Sequence, residues 1–139
     1  LRLVGSEMCI RDRLQTTMQN SFGVFRDGPN MREALKDLVS LRERISRASM
    51  PDKSAAFNTS RLEALELDNL MDVAEATAIA AEQREESRGG HARNDFQERD
   101  DENWLCHSLY FADTKKISKR AVNFAPKTMD AFEPKVRVY

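Results

Sequence analysis

The stretch that decides the fold is residues 60–104, SRLEALELDNLMDVAEATAIAAEQREESRGGHARNDFQERDDENW, where a long helix pattern runs into a dense charged segment. Apolar residues cover an unusually wide arc of the helix, as leucines in its first half and alanines in its second. The pattern predicts a helix over residues 60–88 that contacts other elements on more than one side. Because small side chains allow close approach, we expect the alanine face, residues 74–81, to contact the rest of a larger protein.

Residues 85–104, the charged loop, carry seven acidic residues interleaved with three arginines and one histidine. Gly89 and Gly90 lie where the helix must end, and Gly89 can supply the left-handed residue that commonly follows a helix. The basic side chains of the loop are Arg88, His91, Arg93 and Arg99. The acidic side chains among them are Asp95, Glu98, Asp100, Asp101 and Glu102.

Two arrangements of these charges fit the sequence. Arg88, His91 and Arg93 could bind a dicarboxylate, because arginine pairs bidentately with carboxylates and histidine can add a proton donor. Alternatively, they pair with acidic neighbours and lock the loop. Those acidic neighbours are Glu85, Glu86, Asp95 and Asp101. The excess of acidic neighbours favours the second arrangement.

Two shorter helices are predicted upstream, over residues 14–26 and 31–48. The first has one apolar face, formed by Leu14, Met18, Phe22 and Phe25. The second has a seam with alternating spacings of four and three, formed by Ala34, Leu38, Leu41, Ile45 and Ala48. We expect Asn30 to cap the second helix, and Ser60 with Glu63 to form a capping box at the third.

Downstream, residues 104–124 are rich in strand-forming residues on either side of a polar turn, which predicts a β-hairpin. We expect Trp104, Phe111 and Phe124 to form its core. Two prolines make residues 125–139 an extended tail. The predicted fold class is mainly α: a three-helix bundle followed by the charged loop, the hairpin and the tail.

Composition narrows the function. The chain has 139 residues and a formal net charge of −1, so no electrostatic attraction to nucleic acid is expected. No stretch approaches the ~18 apolar residues of a membrane span, so direct membrane insertion is not expected. With only two cysteines, Cys9 and Cys106, the chain is not expected to be held by a disulfide framework.

Several motifs together resemble the carboxy-terminal region of the succinate dehydrogenase/fumarate reductase flavoprotein family, which includes L-aspartate oxidase. Residues 87–91 (SRG-x-H) look like a signature shared across that family. Three further motifs are similar to the succinate dehydrogenase branch: residues 18–26 (MQN-x-FGVFR), 99–107 (RDDENWL-x-H) and 134–139 (PKVR-x-Y). The resemblance covers residues 14–139, which we treat as one domain.

The resemblance implies that the complete protein oxidises succinate to fumarate with FAD and passes electrons through an iron–sulfur subunit to quinone at membrane anchor subunits. Such a complex lies at the cytoplasmic face of the bacterial inner membrane, or on the matrix side in mitochondria. In this family the carboxy-terminal domain braces the FAD and capping domains. A fumarate reductase or L-aspartate oxidase fragment, or a non-enzymatic helical interaction module, are the alternatives.

No residue of this chain is predicted to be catalytic, cofactor-binding or metal-binding. The five glycines do not form the Gly-x-Gly-x-x-Gly spacing that holds a dinucleotide, and the two histidines have no metal-ligand spacing. The chain alone is therefore expected to bind no FAD and to be inactive. The residues expected to dock against the other domains are Arg88, His91, Arg93, Arg99, Asp100 and Asp101.

Residues 1–13 match nothing in the family and look like a translated sequencing adapter. We expect them to be a non-native leader and leave them out of the fold prediction. The alternative is a divergent native helix start, with its apolar residues covered by neighbouring elements.

Overall fold

A computed structural model describes residues 3–50, 52–132 and 135. In chain order, its elements are α1 (Leu3–Phe22), β1 (Phe25–Arg26), α2 (Gly28–Ser46), α3 (Thr59–Gln83), β2 (Ala92–Arg93), α4 (Asp101–Trp104), β3 (Cys106–Phe111) and β4 (Lys116–Ala121). The predicted fold class is confirmed: α1, α2 and α3 form a bundle, and β3 and β4 form an antiparallel hairpin. Across the described residues, none of the helices has the length and hydropathy needed to cross a bilayer.

One feature was not predicted. β1 and β2 pair in parallel, with Phe25 opposite Ala92 and Arg26 opposite Arg93. This short sheet joins the end of α1 to the charged loop across a wide sequence separation. It places Arg26 beside the loop that carries most of the candidate site.

The core lies where the three helices meet. Its buried apolar residues are Ile10, Leu14, Phe22, Met31, Ala34, Leu38, Leu41, Leu67, Met71, Ala74, Ala78 and Ala81. The predicted seam of α2 is confirmed for Ala34, Leu38 and Leu41, and Ile45 packs against the same cluster. Each fully buried large side chain contributes roughly 1.5–3 kcal/mol relative to an exposed one.

The alanine face of α3 turns inward. Ala74, Ala78 and Ala81 belong to this chain's own core, so our expectation that this face contacts the rest of a larger protein is wrong for these three residues. In the first half of α3, Leu67 is buried in the core, whereas Leu62 and Leu65 are exposed. The wide apolar arc is therefore only partly covered within this chain.

α1 begins and ends earlier than predicted. It starts at Leu3, within the segment that was left out of the fold prediction; Ile10 is buried, and Arg11 donates to the Glu66 carboxylate at 3.2 Å. A non-native origin of residues 1–13 stays a prediction. α1 ends at Phe22, and Phe25, predicted on its buried face, is 72% exposed.

The helix caps also differ from the predicted ones. Asp27, not Asn30, caps α2 by accepting a hydrogen bond from the Asn30 backbone N–H at 3.0 Å. Asn58, not Ser60, caps α3 by accepting from the Arg61 N–H at 2.8 Å. In both cases the cap lies a few positions earlier in the chain than predicted. The helix starts there because that side chain accepts from one of the first backbone N–H groups, which have no partner within the helix.

α3 stops at Gln83, short of the predicted residue 88, because Arg84 takes an extended conformation. Its guanidinium donates to the backbone carbonyls of Trp104 at 3.0 Å and Cys106 at 2.6 Å. Gly89 does have a positive φ of 58°, but it lies in a tight turn rather than after a helix. That turn is closed by two backbone hydrogen bonds between Arg88 and His91.

The hairpin is shorter than residues 104–124 and has a thinner core than predicted. Phe111 and Phe124 are exposed, while Trp104 lies in α4, half-buried beneath Arg84 and Lys119. Lys115, in the hairpin turn, pairs with Glu75 of α3 and so ties the hairpin to the bundle.

The tail is described only in part. Residues 122–132 form no helix or strand, as expected for an extended tail. Of the closing PKVR-x-Y motif, only Lys135 is among the described residues.

Candidate functional site

Glu86 is the centre of the charged loop. Its side chain is 0% exposed and accepts from the Arg88 Nε at 2.8 Å, from the Asp100 backbone N–H at 2.9 Å, and from Arg84. Burial alone would raise the pKa of this carboxyl, but the hydrogen bonds from Arg88, Asp100 and Arg84 outweigh burial and hold the pKa below its ordinary value. Glu86 is therefore a buried carboxylate that is fixed in its charged form.

Arg88 connects this centre to the surface. It donates to the Asp101 carboxylate at 2.6 Å, and Arg99 donates to the other oxygen of Asp101 at 2.7 Å. Hydrogen bonding to Glu86 is the largest cause that raises the pKa of Arg88. Asp100 caps α4 by accepting from the Asn103 N–H at 3.0 Å. The structure thus brings four of the six predicted docking residues into one network around Glu86.

Arg93 forms a second, separate anchor. It is 3% exposed and pairs bidentately with Asp95, with both distances at 2.7 Å. Its remaining donors reach the carbonyls at the end of α3, including that of Glu82 at 2.9 Å. Asp95 also accepts from the Gly28 N–H at 2.9 Å, and hydrogen bonding from Arg93 is the largest cause that lowers its pKa. One ion pair therefore joins the end of α3 to the start of α2.

His91 lies between two groups that fix its protonation. The Arg26 guanidinium donates to its Nδ1 at 2.7 Å, and its Nε2 lies 3.0 Å from the Arg84 carbonyl. Since arginine can only donate and a carbonyl can only accept, the ring is the neutral tautomer with hydrogen on Nε2. Burial is the main cause that lowers the pKa of His91, and the charges of Arg26, Arg93 and Arg84 act in the same direction.

These contacts decide between the two arrangements considered for the loop. Arg88 and Arg93 are paired with different carboxylates of the loop itself, and His91 is engaged on both ring nitrogens. The locked loop is confirmed, and the proposed dicarboxylate set of Arg88, His91 and Arg93 does not form. None of the three is free to act as a nucleophile or as a general acid.

Sequence reasoning missed Arg26 and Arg84. Arg84 lies before the charged loop, and the backbone carbonyls to which it donates are about twenty residues further along the chain. Arg26 meets His91 from the far end of α1, 65 positions away. The sequence around each arginine, residues 83–87 and 24–26, gives no local signal of these contacts. The contact between Arg26 and His91 is explained by the pairing of β1 with β2, which was not predicted.

Gly23, Gly28, Gly89 and Gly90 do not form a dinucleotide cradle in the structure. A dinucleotide needs glycines that let a backbone approach the pyrophosphate. The space beside Gly28 is filled by the side chains of Arg32, Arg93 and Asp95, and the space beside Gly23 by a backbone carbonyl of α1. Gly89 and Gly90 form an open turn with nothing beside them. Among the residues that the structure describes, no three histidine, cysteine or acidic side chains form a metal-holding group.

Comparison with known proteins gives consistent matches. The family model described as fumarate reductase flavoprotein C-term matches residues 11–139. The Coxiella burnetii succinate dehydrogenase flavoprotein subunit is 52% identical over 128 residues, which is 92% of this chain and 22% of that protein. The Mycobacterium tuberculosis fumarate reductase flavoprotein subunit is 38% identical over 130 residues, 94% of this chain and 22% of that protein.

A solved structure of E. coli quinol fumarate reductase has a similar fold. The TM-score is 0.79 at 33% identity, and the match covers 91% of this chain and 22% of the other. The chain thus spans about a fifth of the length of the proteins that it matches.

Proposed function

We infer the function from a premise that the matches supply: this chain belongs to the succinate dehydrogenase/fumarate reductase flavoprotein family and corresponds to the carboxy-terminal domain of the flavoprotein subunit. The resemblance noted in the sequence is thereby confirmed. We propose that the complete protein is a flavin-dependent succinate dehydrogenase that oxidises succinate to fumarate. The flavin would be held by parts of the subunit outside these 139 residues.

The observation that favours succinate oxidation is the 52% identity with a succinate dehydrogenase subunit. Fumarate reduction is the second candidate, supported by the shared fold with E. coli quinol fumarate reductase. The proposed partners are the FAD and capping domains of the same subunit, an iron–sulfur subunit and membrane anchor subunits. The proposed location is peripheral, at the cytoplasmic face of a bacterial inner membrane or on the matrix side in mitochondria.

Within that protein we propose a structural role for this domain. The observation that carries the proposal is the closed network around Glu86, in which every charged group has a partner in the loop. Such a network is rigid before it meets another surface, so docking costs little conformational entropy. Arg88, His91, Arg93, Arg99, Asp100 and Asp101 would hold the loop in the shape that the FAD and capping domains recognise.

The direction of the reaction is tested on the complete complex. Succinate oxidation coupled to quinone and fumarate reduction coupled to quinol are measured under matched substrate saturation. The proposal expects succinate oxidation to be the faster reaction. A faster fumarate reduction would establish the second candidate instead.

The structural role is tested on the chain alone. The purified 139-residue chain is incubated with FAD, passed over a desalting column and assayed for succinate-dependent dye reduction. We expect no retained flavin and no dye reduction, because the described residues lack a dinucleotide cradle. Stoichiometric flavin with dye reduction would overturn the structural role.

A further inference from the structure

Arg26 differs from the other arginines around the charged loop. Arg84 and Arg88 pair with Glu86, and Arg93 pairs with Asp95. Among the described residues Arg26 has no carboxylate within ion-pair distance. Its Nε donates to the carbonyls of Phe22 at 3.1 Å and Gly23 at 3.0 Å, and one terminal nitrogen donates to His91.

The second terminal nitrogen of Arg26 has no partner in the described part of the chain. The guanidinium is half-buried, and burial lowers its pKa, since no carboxylate is present to compensate for lost hydration. A partly desolvated arginine without an anion is unfavourable, because buried charges are normally paired. The side chain is held in place by three acceptors, but no carboxylate of the described residues pairs with its positive charge.

The side chain borders a cleft of about 540 Å³, here called the Arg26 cleft. Arg26, Arg84, Arg88 and His91 line it, and no aspartate or glutamate is among its lining residues. The carboxylate of Glu86, on which Arg84 and Arg88 converge, is fully buried behind them. Because Glu86 offsets the charges of Arg84 and Arg88, the unpaired positive charge at the cleft is that of Arg26, in a partly desolvated setting where an anion interacts more strongly than in bulk water.

We propose that the Arg26 cleft receives an acidic side chain from the remainder of the same subunit, which pairs with the Arg26 guanidinium. This inference rests on the proposed function, because it takes the missing four-fifths of the subunit as the partner. Charge complementarity requires a carboxylate. The residues beside Arg26 favour a protein partner over a small free anion: Val24 and Phe25 are both largely exposed, and arginine next to exposed aromatic surface is typical of protein interfaces.

The test uses the complete subunit carrying Arg26→Lys, which keeps the positive charge and adds an amine for zero-length carbodiimide cross-linking. The carboxylate adds to the carbodiimide to give an O-acylisourea, and the lysine amine then attacks its acyl carbon, which forms the amide bond and releases the urea. We expect mass spectrometry to find the introduced lysine joined to an aspartate or glutamate outside these 139 residues. The native contact between Lys115 and Glu75 serves as internal control, since it should cross-link in the same sample.

Two results would overturn the proposal. One is a link from the introduced lysine only to an acidic residue of this chain or of the iron–sulfur subunit. The other is no link at position 26 while Lys115 and Glu75 are joined. If either result is found and the complete complex oxidises succinate normally, only the pairing at Arg26 is wrong. If the complex does not oxidise succinate, the proposed function is wrong, and the cross-link still tests the pairing.

A second measurement covers the case in which Arg26→Lys lowers the flavin content and so disturbs the fold. The complete subunit with Arg26→Gln is compared by hydrogen–deuterium exchange with Arg32→Gln, which removes an exposed arginine. We expect faster exchange in an acidic peptide outside these 139 residues for Arg26→Gln only. Equal exchange of that region in both variants and the wild type would contradict the pairing.

Discussion

The three-helix bundle and the charged loop lie side by side in one short chain but are held together in different ways. The bundle buries apolar side chains that tolerate small shifts, because burial is not directional. The loop is held by charged hydrogen bonds that converge on Glu86 and on Arg93, and each needs a partner at one distance and angle. Removing a single side chain should therefore disturb more of its neighbours in the loop than in the bundle.

The largest effect is expected for Glu86→Ala in the purified chain. It leaves Arg84 and Arg88 partly buried without their shared carboxylate, and breaking a buried charged pair costs about 3–5 kcal/mol. Urea unfolding measures the loss of stability. The control is Glu43→Ala, which removes an exposed partner of Arg47 and should have little effect. Equal effects of both substitutions would show that the loop is not held through Glu86.

A somewhat smaller effect is expected for Met71→Ala, which opens a cavity in the bundle. Met71 is 0% exposed, and removing a large buried side chain costs about 2–5 kcal/mol, depending on how far the surroundings relax. Leu62→Ala, on the exposed half of the same helix, should cost less than about 0.5 kcal/mol. Similar losses for the two variants in urea unfolding would mean that the core is misplaced.

The smallest effect expected is on the pH dependence of stability, through His91 of the charged loop. The pKa of His91 is lowered in the fold, so its neutral form is favoured by folding; this contribution is fully present above the ordinary pKa near 6.5 and is lost as the pH falls through the lowered value. Stability measured at successive pH values should fall in that window. His91→Gln should remove this step and His107→Gln, on an exposed position of β3, should retain it. If the pH-dependent loss of stability persists in His91→Gln, it arises from another titrating group.

A separate loss is expected at lower pH from the carboxylates of the loop. The pKa values of Glu86, Asp95 and Asp101 are all held below their ordinary values by arginine neighbours. Their stabilisation is present above the ordinary range near 4 and disappears as the pH falls through the lowered values. The two losses are therefore separated along the pH scale.

The sequence predicts the bundle better than its ends. The spacing of Leu38 and Leu41 depends only on helix geometry, so the core of α2 could be identified without the structure. Phe25 has the same helical spacing, yet its backbone pairs with Ala92 and its side chain is exposed, because a distant strand competes with the helix. The end of α3 is similarly set by Arg84 and its distant acceptors.

The candidate site divides in the same way. Pairing within the charged loop could be predicted, since opposite charges close in sequence tend to pair, as Arg93 and Asp95 do. The contact between Arg26 and His91 could not, because it depends on the register of β1 against β2. Local pairs follow from composition, whereas contacts between distant segments require the fold.

The most direct test of the account is Arg88→Ala in the complete subunit, with Arg47→Ala as the exposed control. Arg88 joins buried Glu86 to Asp101, so its removal should weaken the loop that holds the domain against its neighbours. We expect a lower melting temperature and less bound flavin, with unchanged turnover for each flavin that remains. Wild-type stability and flavin content, or full flavin with reduced turnover, would contradict a structural role for this domain.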